Sequence, residues 1–256
     1  MRRMRHLKPR EIQGCDIAFQ FWRPETLYDA TSGGSLVASG GSIARAEDVS
    51  GNGNHATQGT AGDRPVRQVN AQNGLDAARF DGSSDYLSAG DVADMRAKPV
   101  EAYACFIRTG SAGIKGVFGK SRAGSTYGRW SLLNVSPNDS AIVADGNSAG
   151  TEGTLAQSAS LQVLYFSFTR SGSNSLTLRR NESTTATFNP SVGSTDHNTT
   201  DVLMIGAYQN GSGLPSFASS FIGADIIECA KWSRVIGDVT RKRAQHAAMR
   251  RARIAG

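Results

Sequence analysis

The chain of 256 residues carries 28 Lys/Arg against 22 Asp/Glu, and 39% of its residues are hydrophobic. Apolar runs recur along the whole length, which excludes a disordered chain, and none approaches the roughly 18 residues that a membrane-spanning helix needs. The charge is uneven: residues 12–230 hold 15 Lys/Arg and 20 acids, whereas residues 1–11 and 231–256 together hold 13 Lys/Arg and two acids.

Residues 1–21 are predicted to form a basic N-terminal arm, and its basic side chains are the candidate docking residues: Arg2, Arg3, Arg5, Lys8 and Arg10. Such a segment can contact an acidic protein surface, an anionic membrane or nucleic acid, or it can simply keep the protein soluble. Nucleic acid is disfavoured because the acidic body would repel it. No apolar stretch follows the basic residues, so neither a secretion signal nor a membrane partner is expected.

Between residues 22 and 236, turn clusters rich in Gly, Asn, Asp and Ser alternate with short apolar runs. The clearest hairpin is 161–180, in which Leu164, Phe166 and Phe168 alternate onto one face, as do Leu176 and Leu178. The predicted strands lie near residues 54–58, 64–69, 75–80, 85–89, 100–108, 115–120, 128–135, 140–144, 161–169, 175–180, 183–188, 201–208 and 219–232. Strands at this spacing predict an all-β, two-sheet antiparallel β-sandwich.

Residues 237–256 are predicted to form a short basic helix, because Asp238 is a good N-cap and neither Gly nor Pro interrupts 239–254.

The three cysteines, Cys15, Cys105 and Cys229, are too few and too widely spaced for a disulfide framework or a zinc site. Cys105 and Cys229 lie in apolar runs. We expect them to be buried free thiols, which fits folding in a reducing cytosol.

Three segments carry a resemblance to a known superfamily. They are 47–58 (EDVSGNGNHATQ), 64–87 (with RP, NGL and RFDGSSDYL) and 221–234 (with FIGADIIE and WSR). In order and spacing they resemble the concanavalin A-like lectin/glucanase superfamily, in the laminin-G-like jelly-roll form found in bacteriophage virion structural proteins. The resemblance implies a sandwich over residues 22–236 with a short helix after it. It does not fix the function, because this fold hosts lectins, glycosidases, adhesion modules and virion proteins.

Catalytic chemistry is not expected. Glycosidases of this fold place two carboxylates on one face of a strand, and the nearest pair here is Asp225 with Glu228. A spacing of three residues predicts opposite faces of a regular strand. No catalytic residues are therefore assigned, and the protein is predicted not to be an enzyme.

Two sets of loop and aromatic residues are candidate ligand sites. Calcium could bind hard oxygen ligands in the turns, although the same residues are good turn formers. The candidate calcium ligands are Asp48, Asn52, Asn54, Asp81 and Asp85. A glycan could stack on Tyr127, Trp130 or Tyr208, unless these rings pack inside the sandwich.

The favoured function is a non-enzymatic virion structural protein: a decoration, tail or fibre component that folds in the host cytoplasm and docks on a larger assembly. Its expected partners are other virion proteins and copies of itself, with cell-surface glycan as a further candidate. The alternative is a carbohydrate-binding or adhesion module, and a glycosidase is the third hypothesis. No cofactor is expected, with calcium as the one candidate ion.

Overall fold

The computed structural model describes residues 14–92, 99–110, 113–120, 129–135, 138–144, 151–156, 158–169, 174–182, 184–189, 201–208, 221–234, 236 and 248–249. These residues contain two short 3-10 helices, Pro24–Thr26 and Ala61–Asp63. They also contain the strands β1 Ile17–Gln20, β2 Leu27–Tyr28, β3 Arg45–Ala46, β4 Ala56–Thr57, β5 Val66–Gln72, β6 Leu75–Asp81, β7 Leu87–Gly90, β8 Val100–Arg108, β9 Ile114–Lys120, β10 Arg129–Val135, β11 Asn138–Ala144, β12 Thr151–Ala156, β13 Gln162–Thr169, β14 Ser175–Arg180, β15 Thr184–Phe188, β16 Leu203–Ile205 and β17 Gly223–Trp232.

The strands form two antiparallel sheets. The eight-stranded sheet runs in the order β15-β14-β13-β8-β17-β6-β5, and β1 pairs with β17 beside this path. The nine-stranded sheet runs β12-β11-β10-β9-β16-β7-β4-β3-β2. The predicted two-sheet antiparallel sandwich is therefore confirmed.

The main core lies between the two sheets. Phe106 of β8 and Phe166 of β13 meet Phe118 of β9 and Trp130 of β10 in one buried cluster. The Phe118 and Trp130 rings pack edge to face with their centroids 5.1 Å apart, an arrangement that aromatic pairs favour. Burial of alternating apolar side chains from both sheets holds the layers together.

The hairpin of β13 and β14 has the alternation that the sequence predicts. Phe166 pairs with Leu178 and Phe168 with Leu176, and all four side chains are fully buried. Side chains of directly opposed residues lie on the same face of a sheet. The four apolar groups therefore enter the main core together.

The sandwich begins earlier than predicted, because β1 lies inside the segment 1–21 that was assigned to the arm. Ile17 pairs with Lys231 and Phe19 with Cys229 along the last strand. Both Ile17 and Phe19 are fully buried in the main core. This short strand is stable because Ile17 and Phe19 pack among core side chains from the other strands.

The sequence did not predict β1, β2, β3 or β12, and the predicted strand 201–208 is shorter than expected. Only Leu203–Ile205 of that segment is a strand. Gly206 follows with φ of +86°, a left-handed conformation that breaks the strand and that glycine tolerates. Of the predicted helix 237–256, only Ala248 and Met249 are described; they are helical and buried.

Candidate functional site

A second buried cluster covers the outer face of the eight-stranded sheet. Strand β8 shows how its two faces differ: Ala104 and Phe106 enter the main core, whereas Tyr103 and Cys105 enter the second cluster. Period-two alternation places Glu101 on the same face as Tyr103. We call this surface the aromatic–carboxylate face and define it by the residues Glu101, Tyr103, Tyr165, Glu228 and Trp232.

A β-bulge at Ile227 brings two acids of β17 onto this face. Asp225 pairs with Ile107 and Glu228 pairs with Cys105, and the register shifts between them. Ile107 and Cys105 are two residues apart on β8, so their partners lie on the same side of the sheet, about 7 Å apart at Cα. The prediction that Asp225 and Glu228 lie on opposite faces was therefore wrong, because the bulge inserts an extra residue.

Glu228 bridges an aromatic side chain inside the face and one at its rim. Its Oε1 accepts a hydrogen bond from the Tyr103 hydroxyl at 3.3 Å, and its Oε2 accepts one from Trp22 Nε1 at 2.9 Å. Glu228 is only 1% exposed, whereas Trp22 is partly exposed. The indole of Trp22 therefore extends the face towards solvent.

Glu101 occupies the other end of the face. Its carboxylate accepts a hydrogen bond from the Tyr165 hydroxyl and another from the backbone N–H of Ile236 at 3.3 Å. Glu101 pairs with Trp232 of β17, whereas Glu228 pairs with Cys105 of β8, so the two acids lie about 13 Å apart along the strands.

Trp232 lies directly opposite Glu101 on the same face. Its ring stacks on Tyr103 with centroids 6.0 Å apart. The side chain is fully buried, yet its Nε1 has no hydrogen-bond partner among the described residues. Ala248 and Met249 also belong to the second cluster.

Asp225 is engaged away from the aromatic rings. Arg79 of β6 donates to it in a bidentate pair, Nε to Oδ1 at 2.7 Å and Nη2 to Oδ2 at 2.8 Å. This hydrogen bonding raises the pKa of Arg79 above its usual value. Asp225 is 3% exposed, so its carboxylate is unavailable to a ligand in this arrangement.

Two of the three predicted glycan residues, Trp130 and Tyr208, are described. Trp130 is fully buried in the main core, so its ring cannot stack on a sugar, which corrects that prediction. Tyr208 is partly exposed, and burial raises the pKa of its hydroxyl. Tyr127 lies outside the described residues, as do the docking residues Arg2, Arg3, Arg5, Lys8 and Arg10.

The first group of predicted calcium ligands organises a loop. Asp48 accepts hydrogen bonds from Ala18 N at 3.0 Å, Ser50 N at 2.9 Å, Ser50 Oγ at 2.7 Å and Asn54 N at 3.1 Å. The amide of Asn52 donates to the carbonyl oxygen of Asp16 at 2.9 Å. These contacts fasten the loop 48–55 to the start of β1, and they engage the carboxylate oxygens that a cation would need.

The second group, Asp81 and Asp85, lies in one turn, and the pKa values of its two carboxyls are shifted in opposite directions. Burial acts to raise the pKa of Asp81, but hydrogen bonds from the Ser83 hydroxyl and from the amides of Ser84, Ser83 and Asp85 outweigh it and lower the pKa to about 2. Burial, followed by the negative charges of Asp81 and Asp63, raises the pKa of Asp85 to about 6. Among the described residues, no group of three or more His, Cys, Asp or Glu is arranged to hold a metal ion.

The aromatic–carboxylate face was missed because its residues were read as parts of apolar runs. The signal that could have found it is the alternation in β8, which separates Glu101 and Tyr103 from Ala102 and Ala104.

The expected free thiols of Cys105 and Cys229 are confirmed, and both are buried. Within the part of the chain that the structure describes, no helix is long and apolar enough to cross a membrane.

Neither a protein-family model nor a curated protein sequence matches the chain. Solved structures do match. A mutant of a GH54 α-L-arabinofuranosidase soaked with 4-nitrophenyl α-L-arabinofuranoside is 14% identical with a TM-score of 0.60, over 94% of this chain and 65% of that one. An arabinofuranosidase complexed with arabinofuranosyl-α-1,2-xylobiose has a TM-score of 0.63 at 14% identity, over 94% and 64%. The botulinum neurotoxin serotype D binding domain has a TM-score of 0.58 at 9% identity, over 92% and 51%.

The chain therefore spans less than two thirds of the two arabinofuranosidase chains, 65% and 64% of their lengths. At such low identity the similarity shows the fold alone, a jelly-roll, lectin-like β-sandwich. Carbohydrate-active enzymes and binding domains share this fold, so it does not choose between them. The resemblance to phage virion proteins gains no support from these structures.

Proposed function

We propose that the protein is a non-enzymatic β-sandwich module that binds carbohydrate at the rim of the aromatic–carboxylate face, where Trp22 is partly exposed. The observation that carries the proposal is the partly exposed indole of Trp22, held 2.9 Å from the carboxylate of Glu228. Sugar sites combine an aromatic ring, which packs on the C–H groups of the sugar, with a few fixed polar groups that orient its hydroxyls. Trp22 supplies the ring, and the hydrogen bond from its Nε1 to Glu228 fixes the orientation of that ring at the rim.

The similar solved structures support this proposal without deciding it. Two of them are arabinofuranosidases, described with an aryl arabinofuranoside and with an arabinofuranosyl xylobiose. A third is a toxin binding domain. Saccharide recognition is therefore compatible with this arrangement of sheets.

The absence of catalysis is part of the proposal. Although the bulge puts Asp225 and Glu228 on one face, both are almost fully buried. Asp225 is paired with Arg79, and Glu228 accepts hydrogen bonds from Trp22 and Tyr103. A hydrolase needs one carboxyl free to protonate the leaving oxygen and the other facing the sugar or a water. Neither carboxylate is placed to do so.

The test is a panel of immobilised oligosaccharides probed with the full chain and three variants. Trp22→Ala is expected to weaken binding at least tenfold, since it removes the ring at the rim, and Glu228→Gln is expected to weaken it less. Tyr28→Ala is the matched control, because Tyr28 is also partly exposed but lies in the nine-stranded sheet. Equal binding by Trp22→Ala and wild type would overturn the assignment of the site. Hydrolysis of any panel member that is lost in Glu228→Gln would overturn the non-enzymatic part.

A virion structural protein that docks on other virion proteins or copies of itself is the second candidate. The observation that favours it is the charge distribution, with 13 Lys/Arg in residues 1–11 and 231–256 around an acidic body. Three buried free thiols agree with folding in a reducing cytosol. Deleting residues 1–13 tests this candidate, since a folded, truncated chain should then fail to join particles. Normal incorporation at low and high salt would refute the docking role of the arm.

A further inference from the structure

The rim turn, which we define as residues 20–26, is fastened to the sandwich by its backbone and by one core side chain. Arg23 N donates to Gln20 O at 3.0 Å and closes the turn, and Phe21 N donates to Ile227 O at 2.9 Å. The Phe21 side chain is fully buried in the main core. Side chains on a turn that is fixed in this way lose little conformational freedom when they bind a ligand.

Two successive side chains of the rim turn, Trp22 and Arg23, contact neighbouring residues of one face. Gln20 and Glu228 are directly opposed on β1 and β17, so their side chains share a face with Cβ atoms about 4.5–5.5 Å apart. Trp22 Nε1 donates to Glu228 Oε2 at 2.9 Å, and Arg23 Nη1 makes a long hydrogen bond of 3.5 Å to Gln20 Oε1. The indole and the guanidinium therefore lie near each other at the rim.

Arg23 also forms an ion pair with Glu25, two residues further along the turn. Arg23 Nε lies 2.9 Å from Glu25 Oε1, and the two side chains are 25% and 57% exposed. Glu25 and Gln20 accept from two of the five guanidinium N–H groups, and the other three have no partner among the residues that the structure describes. The pair therefore places hydrogen-bond donors beside a carboxylate that solvent reaches.

A donor next to an acceptor suits two adjacent hydroxyls of a sugar. One hydroxyl accepts from the guanidinium while its neighbour donates to the carboxylate, and both hydrogen bonds are strengthened by the charge of the protein group. An exposed ion pair contributes little to the stability of a fold, so the two hydroxyls can share the pair without opposing folding. The ring of the same sugar can then pack on the nearby indole.

We propose that Arg23 and Glu25 together bind two adjacent hydroxyls of the sugar that packs on Trp22, so that the rim selects saccharides with a free vicinal diol. The inference rests on the proposed function, because it takes carbohydrate binding at Trp22 as its premise. It adds the residues that determine specificity and the part of the sugar that they recognise. Trp22 sets the affinity through its ring, whereas the Arg23–Glu25 pair sets the preference among sugars.

The experiment measures the affinity of the full chain for pairs of sugars. The probes are neutral disaccharides of glucose, galactose, mannose, xylose and arabinose, each beside analogues in which two adjacent hydroxyls of the terminal sugar are replaced by hydrogen. For one such hydroxyl pair, wild type is expected to bind the free diol at least about tenfold more tightly. Arg23→Met and Glu25→Gln should each reduce this ratio to less than about threefold, by weakening binding of the free diol alone.

The matched control is Arg45→Met. Arg45 also lies beside a glutamate, with Nη2 3.9 Å from Glu47 Oε1, but it belongs to the nine-stranded sheet. Its substitution should leave the ratio at the wild-type value. If Arg23→Met fails to fold, Arg23→Lys takes its place, because lysine keeps the charge but loses the planar fork of donors, and it should reduce the ratio in the same way.

The possible outcomes separate this inference from the proposed function. Equal affinity of wild type for the free and the deoxygenated sugars would refute the role of the pair and leave carbohydrate binding intact. A ratio that persists in both Arg23→Met and Glu25→Gln, or one that disappears in Arg45→Met, would refute it as well. Trp22→Ala should weaken both forms by a similar factor, and a fall in the ratio alone would contradict the division of roles. If wild type binds none of the sugars, the proposed function falls and this inference falls with it.

Discussion

Asp48 offers the sharpest test of how the fold holds its first strand. Its carboxylate accepts hydrogen bonds from the backbone of Ala18 in β1 and from Ser50 and Asn54 in the following loop. Asp48 is 7% exposed, so water cannot easily replace these contacts when the carboxylate is removed. We therefore predict that Asp48→Ala is strongly destabilising.

The magnitude follows from the individual contacts. Leaving the buried N–H of Ala18 without an acceptor costs about 1–3 kcal/mol, and the hydrogen bonds that Ser50 and Asn54 make to a charged group add to that, though not fully additively. We expect a loss of about 3–5 kcal/mol for Asp48→Ala and about half as much for Asp48→Asn, which keeps one acceptor oxygen. For a domain of this size, 1 kcal/mol lowers Tm by about 2–4 °C.

The assay is urea unfolding followed by tryptophan fluorescence, with and without calcium. A loss below about 1 kcal/mol for Asp48→Ala would refute the reasoning, since an ordinary surface substitution changes stability by up to about 0.5 kcal/mol. The effect of calcium on stability distinguishes a loop that is ordered by hydrogen bonds alone from a loop that also binds the ion. An ion bound at 100 times its Kd would stabilise the native state by about 2.7 kcal/mol. Such a gain in wild type that vanishes in Asp48→Ala would re-establish the calcium site.

Three further predictions concern single side chains. The pKa of Asp85 is raised to about 6 in the folded protein, so folding favours the protonated carboxyl. The stability that this carboxyl contributes to the folded state is complete below the unfolded pKa of about 3.9 and is lost as pH rises through 6. Asp85→Asn should therefore gain stability over wild type between pH 4 and pH 7, by about 1–2 kcal/mol, and a pH-independent difference in urea midpoint would contradict this. Arg180 donates to Asp139 at 2.7 Å across the two sheets, and Asp139 is fully buried; Arg180→Met should cost about 3–5 kcal/mol because it leaves that charge without its cation, and an unchanged midpoint would show that the pair is dispensable. Gly206 has φ of +86° and a Cβ added there would lie 2.2 Å from the Phe80 ring, so Gly206→Ala should cost about 2–4 kcal/mol in the same assay, and a neutral result would mean that the ring can move aside.

Most of the sheet structure could be predicted from the sequence, because apolar and polar residues alternate along a strand that has one buried face. Leu164 and Phe168 illustrate this: residues of one face recur every second position and are buried together. Strands of two residues, such as β2 and β3, carry too little pattern to be predicted. β12 was missed because TEGTLA holds one strongly apolar residue, Leu155.

The candidate site was much less predictable. Aromatic residue type alone pointed to Trp130, which packs inside the sandwich because it shares the inward face of β10 with Leu132. Trp22 lies in no strand, and its role depends on a hydrogen bond to Glu228, 206 residues away in the sequence. Contacts of that range depend on the order of strands in the sheet, and local patterns do not encode that order.

The bulge at Ile227 shows why residue spacing could not decide the catalytic question. All ten residues of β17 are buried, so the strand has no polar alternation that would reveal a change of register. One inserted residue moves Glu228 onto the side of Asp225, so the two carboxylates share a face although they are three residues apart. Proximity alone is still insufficient, because Arg79 binds Asp225 in a bidentate pair while Trp22 donates to Glu228. The partners of each carboxylate therefore determine its chemistry: Asp225 is paired with Arg79, and Glu228 is held by Trp22 and Tyr103.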